Sequence, residues 1–262
     1  MNHTNSIPNT LESIRNSIKT GILHPRTPYF MLLLRFVLFA GWQAVFALIF
    51  WISRNEQPWE QSIAWWIFGV VLANAVCLFV VIRLFRKEGM NYWQLVGFTR
   101  GMVWKDTLTT LGLFLLAGPI GYFPNIIFGG MLFGDAMIPA GMMFRALPMA
   151  AAIIGAILFP VTQGLIELPT YFIYIMPRLE ALSGKKWLAI AVASFFLAFQ
   201  HIAVPLIFDT RFILWRLIMF LPFAFFMGIV IHWRPRLIPY LMIGHVLIDL
   251  STAMFIIPGM MP

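Results

Sequence analysis

Charge is what this chain has least of. Charged residues fill 11% of its 262 positions and hydrophobic ones 61%. A water-soluble domain carries about 25% charged residues, so a soluble globular fold is excluded. Cysteine is scarcer still. Cys77 stands alone, so no intrachain disulfide can form, and its place in an apolar run reads as a small core residue. No P-loop, dinucleotide fingerprint or CxxC pair is present, which leaves phosphate-cradling and dithiol chemistry without a motif. The strict apolar/polar alternation of a membrane β-barrel is missing too. The first 28 residues lack a short apolar core ending at a small-residue cleavage site. With Arg15, Lys19 and Arg26 they read as a cytoplasmic amphipathic segment rather than a cleaved signal.

What the chain has instead is apolar runs of about 18 residues or more, each long enough for a hydrocarbon core about 30 Å thick. The expected fold is all-α: a polytopic transmembrane helical bundle with a cytosol-facing polar cavity. Spans are expected at 29–52, 62–85, 107–128, 144–176, 187–208, 211–232 and 236–257. Residues 91–105 mix Trp93, Phe98 and Trp104 with Arg100 and Lys105, as an interfacial helix does. Residues 125–141, rich in glycine, read as a loop or re-entrant element. Pro160 and Pro169 should kink or split the fourth span. Seven spans result, or eight if 142–159 and 163–178 count separately. Three regions follow: the segment 1–28, the spans of 29–141, and a core at 142–262.

The net charge of +8 is better explained by basic cytoplasmic loops than by nucleic acid, so membrane lipids are the expected surroundings. Basic loops alternate with near-neutral ones along the whole chain, which predicts a cytoplasmic N-terminus and an external C-terminus.

Four polar side chains interrupt the apolar runs: Glu167, His201, His245 and Asp249. An ionisable group at the centre of a bilayer costs about 2.5–3.5 kcal/mol on insertion scales and is a functional candidate by default. At 1.5 Å per residue, Glu167 and His245 lie about 14 Å from the basic ends of their helices, and His201 and Asp249 about 20 Å. That common slab suggests one cavity. His245 and Asp249 are spaced i,i+4 and share a helix face. A carboxylate holding one ring nitrogen would leave the other free to act. Gln163, Glu167 and Tyr171 form a polar stripe one turn apart. Together the residues suggest water activated by Glu167, with imidazoles stabilising an oxyanion or donating a proton. Two histidines and a carboxylate could equally hold zinc, although no HExxH helix is present. A plainer reading makes the histidines interhelical glue. Arg35 and Arg216 lie near span ends, where long side chains snorkel, and read as structural. His232 reads as interfacial, and His3 and His24 fall in the N-terminal segment.

The same residues resemble the CPBP intramembrane endopeptidases, relatives of the CAAX prenyl proteases also called the Abi family. The first motif of that family, EExxxR followed by a "yllPrL"-like segment, is similar to Glu167–Glu180 with its Met176-Pro177-Arg178-Leu179 ending. FxxxH is similar to Ser194–His201, and HxxxN/D to His245–Asp249. The resemblance covers roughly residues 145–256. It implies a metal-free glutamate peptidase of the bacterial inner membrane, acting on a peptide or protein substrate. Glu167 would be the base, His201 and His245 the oxyanion stabilisers, and Asp249 the orienting carboxylate. Leu168, Phe172 and Leu197 depart from the motifs. The missing arginine at 172 removes a partner for the glutamate that Gln163, Tyr171 or Tyr174 would have to replace. These departures favour an alternative, a non-catalytic self-immunity or scaffold protein on the same fold. A proton-coupled transporter would use similar buried groups, but no inverted repeat is apparent.

Overall fold

The computed structural model describes residues 8–254 and 257. His3 and the last residues of the seventh expected span lie outside the described residues. Among the described residues the chain is a succession of helices. Those of the first half are α1 (Leu11–Lys19), α2 (Thr27–Ile52), α3 (Pro58–Ile63), α4 (Trp66–Lys87), α5 (Tyr92–Leu95), α6 (Val103–Phe133) and α7 (Ile138–Met143). The second half adds α8 (Met149–Leu168), a π-helical stretch over Pro169–Ile175, α9 (Met176–Ser183), α10 (Lys186–Gln200), α11 (Thr210–Trp233) and α12 (Ile238–Ala253).

Five helical stretches are long and apolar enough to cross a membrane: α2, α4, α6, the unit Met149–Ser183, and α11. The chain is therefore a multi-pass helical membrane protein. Helices α10 and α12 cover the fifth and seventh expected spans but have only 15 and 16 residues. The apolar surface of α6 is openly exposed, with Leu115 79% and Met131 74% accessible, as a face turned to lipid would be.

Four expectations about the backbone need correction. Helix α6 runs unbroken through Pro119 and Pro124 to Phe133, so residues 125–133 are helix rather than loop. Met149–Ser183 is likewise one continuous helical unit of 35 residues and is not split at Pro160 or Pro169. In hydrocarbon the backbone has only its own chain to bond with, which favours continuing a helix past a proline over opening a loop. The third correction concerns 91–105, where only Tyr92–Leu95 is a separate helix and Val103 already begins α6. The fourth concerns 187–208: α10 ends at Gln200, and His201 is its C-cap.

Local chemistry explains how the Met149–Ser183 unit passes its second proline. Pro169 has no N–H to offer the carbonyl one turn back, and the Tyr92 hydroxyl donates to that carbonyl, Leu165 O, instead. The ladder then widens into π-helix from Pro169, two residues after Glu167, a distortion common at functional sites.

One end of the bundle is tied by ion pairs. Arg178, in the Met176-Pro177-Arg178-Leu179 segment, is fully buried. It donates to both carboxylate oxygens of Glu88 at 3.1 and 2.8 Å and to the Tyr174 carbonyl at 2.8 Å. Helix α1 begins at a Thr10–Ser13 capping box, and the preceding Asn9 donates to the Ile173 carbonyl at 2.9 Å. His232 meets Glu180 at 2.9 Å near the ends of α11 and α9, at the margin expected for it. Cys77 is buried and free.

Helices α8 and α12 carry the polar residues and touch through glycine. A Cβ on Gly164 would overlap the Val246 side chain and stand 3.0 Å from the Met242 carbonyl. Close approach of this kind is what small residues permit between membrane helices. Gly244, beside His245, gives the same room to the ring of Phe114 from α6.

Candidate functional site

All four ionisable residues converge. Glu167 sits at the end of α8, 2% exposed. Its Oε2 lies 3.2 Å from His245 Nε2, and its Oε1 lies 3.5 Å from His201 Nε2. His245 Nε2 is also 3.3 Å from Asp249 Oδ2 across one turn of α12. Three separate helices thus bring their polar groups to one carboxylate.

The carboxylate is held by more than the histidines. Gln163 Nε2 donates to Oε1 at 2.6 Å, and Gln200 Nε2 donates to the same atom at 2.5 Å. Behind both amides stands Arg35, fully buried on α2. Its Nε donates to Gln200 Oε1 at 2.6 Å, its Nη1 to Asn74 Oδ1 at 2.7 Å and its Nη2 to Gln163 Oε1 at 2.8 Å. The guanidinium also lies 3.7 Å from Glu167 Oε1 and over the Phe39 ring. Asn74 completes the frame by donating to Gln163 Oε1 at 3.0 Å. The Tyr171 hydroxyl is within reach of Gln200 Oε1 at 3.3 Å and the Leu32 carbonyl at 3.4 Å.

This overturns the snorkelling reading of Arg35. Its stem does not carry the charge to an interface; the charge ends in a pocket of amide oxygens beside the carboxylate. Arg216 does not snorkel either. It is 4% exposed and donates to the carbonyls of His201 and Val204 at 3.2 and 2.7 Å, holding the turn that follows α10.

The histidines are not equivalent. His201 Nδ1 lies 2.8 Å from the Leu197 carbonyl. A carbonyl only accepts, so Nδ1 carries the hydrogen and Nε2 of the neutral ring presents a lone pair. The ring stacks on Phe220 with centroids 3.7 Å apart. His245 Nε2 faces two carboxylates and is the nitrogen that must offer them N–H. Its Nδ1 is buried without a hydrogen-bond partner among the described residues, as is Asp249 Oδ2, whose 3.3 Å approach to His245 is not an aligned hydrogen bond. The expected division, with Asp249 on one nitrogen and the other free to face substrate, is therefore altered. Glu167 and Asp249 share the same nitrogen.

Positions 168 and 172, where the resemblance would have Glu and Arg, belong to the packing. Leu168 and Phe172 are buried in the apolar core, and Phe172 lies against Gly228 of α11. The cation missing at 172 has a counterpart in Arg35, supplied by another helix.

The sequence pointed to Gln163 and made Arg35 structural, while Asn74 and Gln200 received no role. The available signal was polarity: Asn74 and Gln200 are uncharged polar groups in apolar runs, and such groups too must find partners in a bilayer. Among the described residues no group of three His, Cys, Asp or Glu side chains is arranged to hold a metal ion. The donor set also fits zinc poorly, because Oε1 is already taken by two N–H donors with a guanidinium behind them.

No protein-family model, curated protein or solved structure matches this chain.

Proposed function

We propose that the chain is a glutamate-type intramembrane peptidase, similar in its site to the CPBP endopeptidases, that hydrolyses a peptide bond of a substrate in or near the membrane. One observation carries this reading. Glu167 is fixed by two amide donors on one oxygen, and its other oxygen is left facing His245 at 3.2 Å. An oriented carboxylate beside two imidazoles in an apolar slab is suited to deprotonating water.

The chemistry balances with these groups alone. Glu167 Oε2 takes a proton from water as the water oxygen bonds to the substrate carbonyl carbon. The carbonyl oxygen becomes an oxyanion, for which the His245 N–H beside Oε2 is the nearest donor. The proton then passes from Glu167 Oε2 to the leaving nitrogen. The C–N bond breaks, and Glu167 is again ionised. Asp249 holds His245 in place. The two imidazoles therefore stand differently: His245 donates to the oxyanion, and His201 Nε2 lies 3.5 Å from Oε1, the oxygen that holds no proton. The basic loops favour a bacterial plasma-membrane location with the N-terminus in the cytoplasm.

The test uses the full chain reconstituted in phosphatidylethanolamine–phosphatidylglycerol vesicles with a library of single-span peptides, new termini being read by mass spectrometry. Wild type should produce new termini, with and without a zinc chelator, and Glu167→Gln and His245→Ala should not. Equal cleavage by Glu167→Gln would remove the mechanism. Loss of cleavage on chelation would move it to a metal.

A further inference from the structure

We infer that Arg35 is the positioning residue of Glu167, acting through two glutamine side chains rather than by a direct hydrogen bond. Its role as positioner of a base rests on the peptidase reading; the geometry itself does not. An amide side chain has a donor end and an acceptor end, and by itself either could face the carboxylate. Arg35 decides between them. A guanidinium has only N–H donors, so the groups it touches must present oxygen: Gln200 Oε1 to Nε at 2.6 Å and Gln163 Oε1 to Nη2 at 2.8 Å. With both oxygens turned to Arg35, both NH₂ groups necessarily point at Glu167 Oε1, at 2.5 and 2.6 Å. Asn74 takes the third guanidinium nitrogen and donates back to Gln163, which locks the arrangement from a third helix.

The consequence falls on the two carboxylate oxygens. Oε1 receives two N–H donors and has no room for a proton. Oε2 meets His245 Nε2 at 3.2 Å and, among the described residues, takes no N–H from the two glutamines. Arg35 thereby makes Oε2 the oxygen that accepts and releases the proton in catalysis. Lysine could not do this: its ammonium is a point charge without the planar fork that engages three amide oxygens at fixed angles.

Infrared spectroscopy of the full chain in lipid nanodiscs tests the inference without any substrate. The Glu167 carboxylate bands are identified as those lost in Glu167→Gln. Arg35→Met and Arg35→Lys should both move these bands, because the amides are then free to turn. Gln200→Leu should move them in the same direction by a smaller amount, and Arg145→Gln, remote from the site, should leave them in place. If Arg35→Met does not yield folded protein, Arg35→Lys, which keeps the charge, carries the test. Wild-type bands in Arg35→Lys would overturn the inference, since charge alone would then suffice. Cleavage assays on the same variants separate the two ideas. Shifted bands together with full cleavage by Glu167→Gln would sink the peptidase reading and leave the frame standing. Unshifted bands together with cleavage that needs Glu167 would do the reverse.

Discussion

Arg35 and Glu167 stand 3.7 Å apart, both buried, one on α2 and the other on α8. Pairs of this kind are weak evidence of stability when intact but expensive to break. Removing one partner from a buried pair costs about 3–5 kcal/mol, because the other charge is left uncompensated. Glu167→Ala should fall in that range in denaturant unfolding from detergent micelles. Glu167→Gln keeps an oxygen for the two amide donors and should lose clearly less. Equal losses would show that the amides contribute nothing to holding the residue.

The contact between α8 and α12 depends on Gly164. Substitution by valine puts methyl groups where Val246 and the Met242 carbonyl already stand. Overpacking of this kind costs about 1–3 kcal/mol, and relief comes by moving α12 outward. Since α12 carries His245, Gly164→Val should lose cleavage by more than its loss of stability explains. Paired melting and activity measurements read the two effects separately.

Tyr92 and Pro169 form a compensating pair across α5 and the π-helical stretch. Tyr92→Phe strips the Leu165 carbonyl of its donor, at a cost of about 1–3 kcal/mol for a buried unsatisfied group. Pro169→Ala restores a backbone N–H nearby. In a double-mutant cycle, Tyr92→Phe should therefore cost less in the Pro169→Ala background than in wild type. Additive losses would mean that the hydroxyl does not replace the missing backbone donor.

Two carboxylate–arginine pairs provide an internal contrast. Glu88 and Arg178 are buried at 2.8 Å, whereas Glu60 and Arg145 make an equally short pair with side chains 51% and 39% exposed. Glu88→Gln should destabilise by about 3–5 kcal/mol. Glu60→Gln should change stability by no more than about 1 kcal/mol. Thermal unfolding of the two variants side by side checks the ordering, and comparable shifts would contradict it.

Much of the site could be read from the sequence by a single criterion, and the same criterion explains the omission. Glu167, His201, His245 and Asp249 stood out because charge and imidazole are costly in an apolar run. Arg35 meets that criterion as well, yet its position near the start of a span suggested an escape route to the interface. The depth comparison applied to Glu167 would have corrected this. Arg35 lies eight residues into α2 (Thr27–Ile52), about 12 Å at 1.5 Å per residue, nearly the depth inferred for Glu167. Gln200 and Asn74 carry no charge, so the cost that drew attention to the others was smaller. Which end of each amide faces the carboxylate could not be read from sequence at all, because it depends on a third group from a distant helix. The loop expected over 125–133 and the split expected at Pro160 or Pro169 share one cause. Proline rules learned in water treat a loop as an available alternative, and in hydrocarbon that alternative is closed.

The frame around Glu167 also imposes an order on biosynthesis. Chains emerge from the N-terminus, so Arg35 and Asn74 are made before Gln163, Glu167 and Gln200. The cation is already on hand when the carboxylate arrives, and the acid never has to wait alone among lipids. A chain cut off before α8 would strand an arginine with no acid to meet it, which makes the early spans dependents of a helix not yet made.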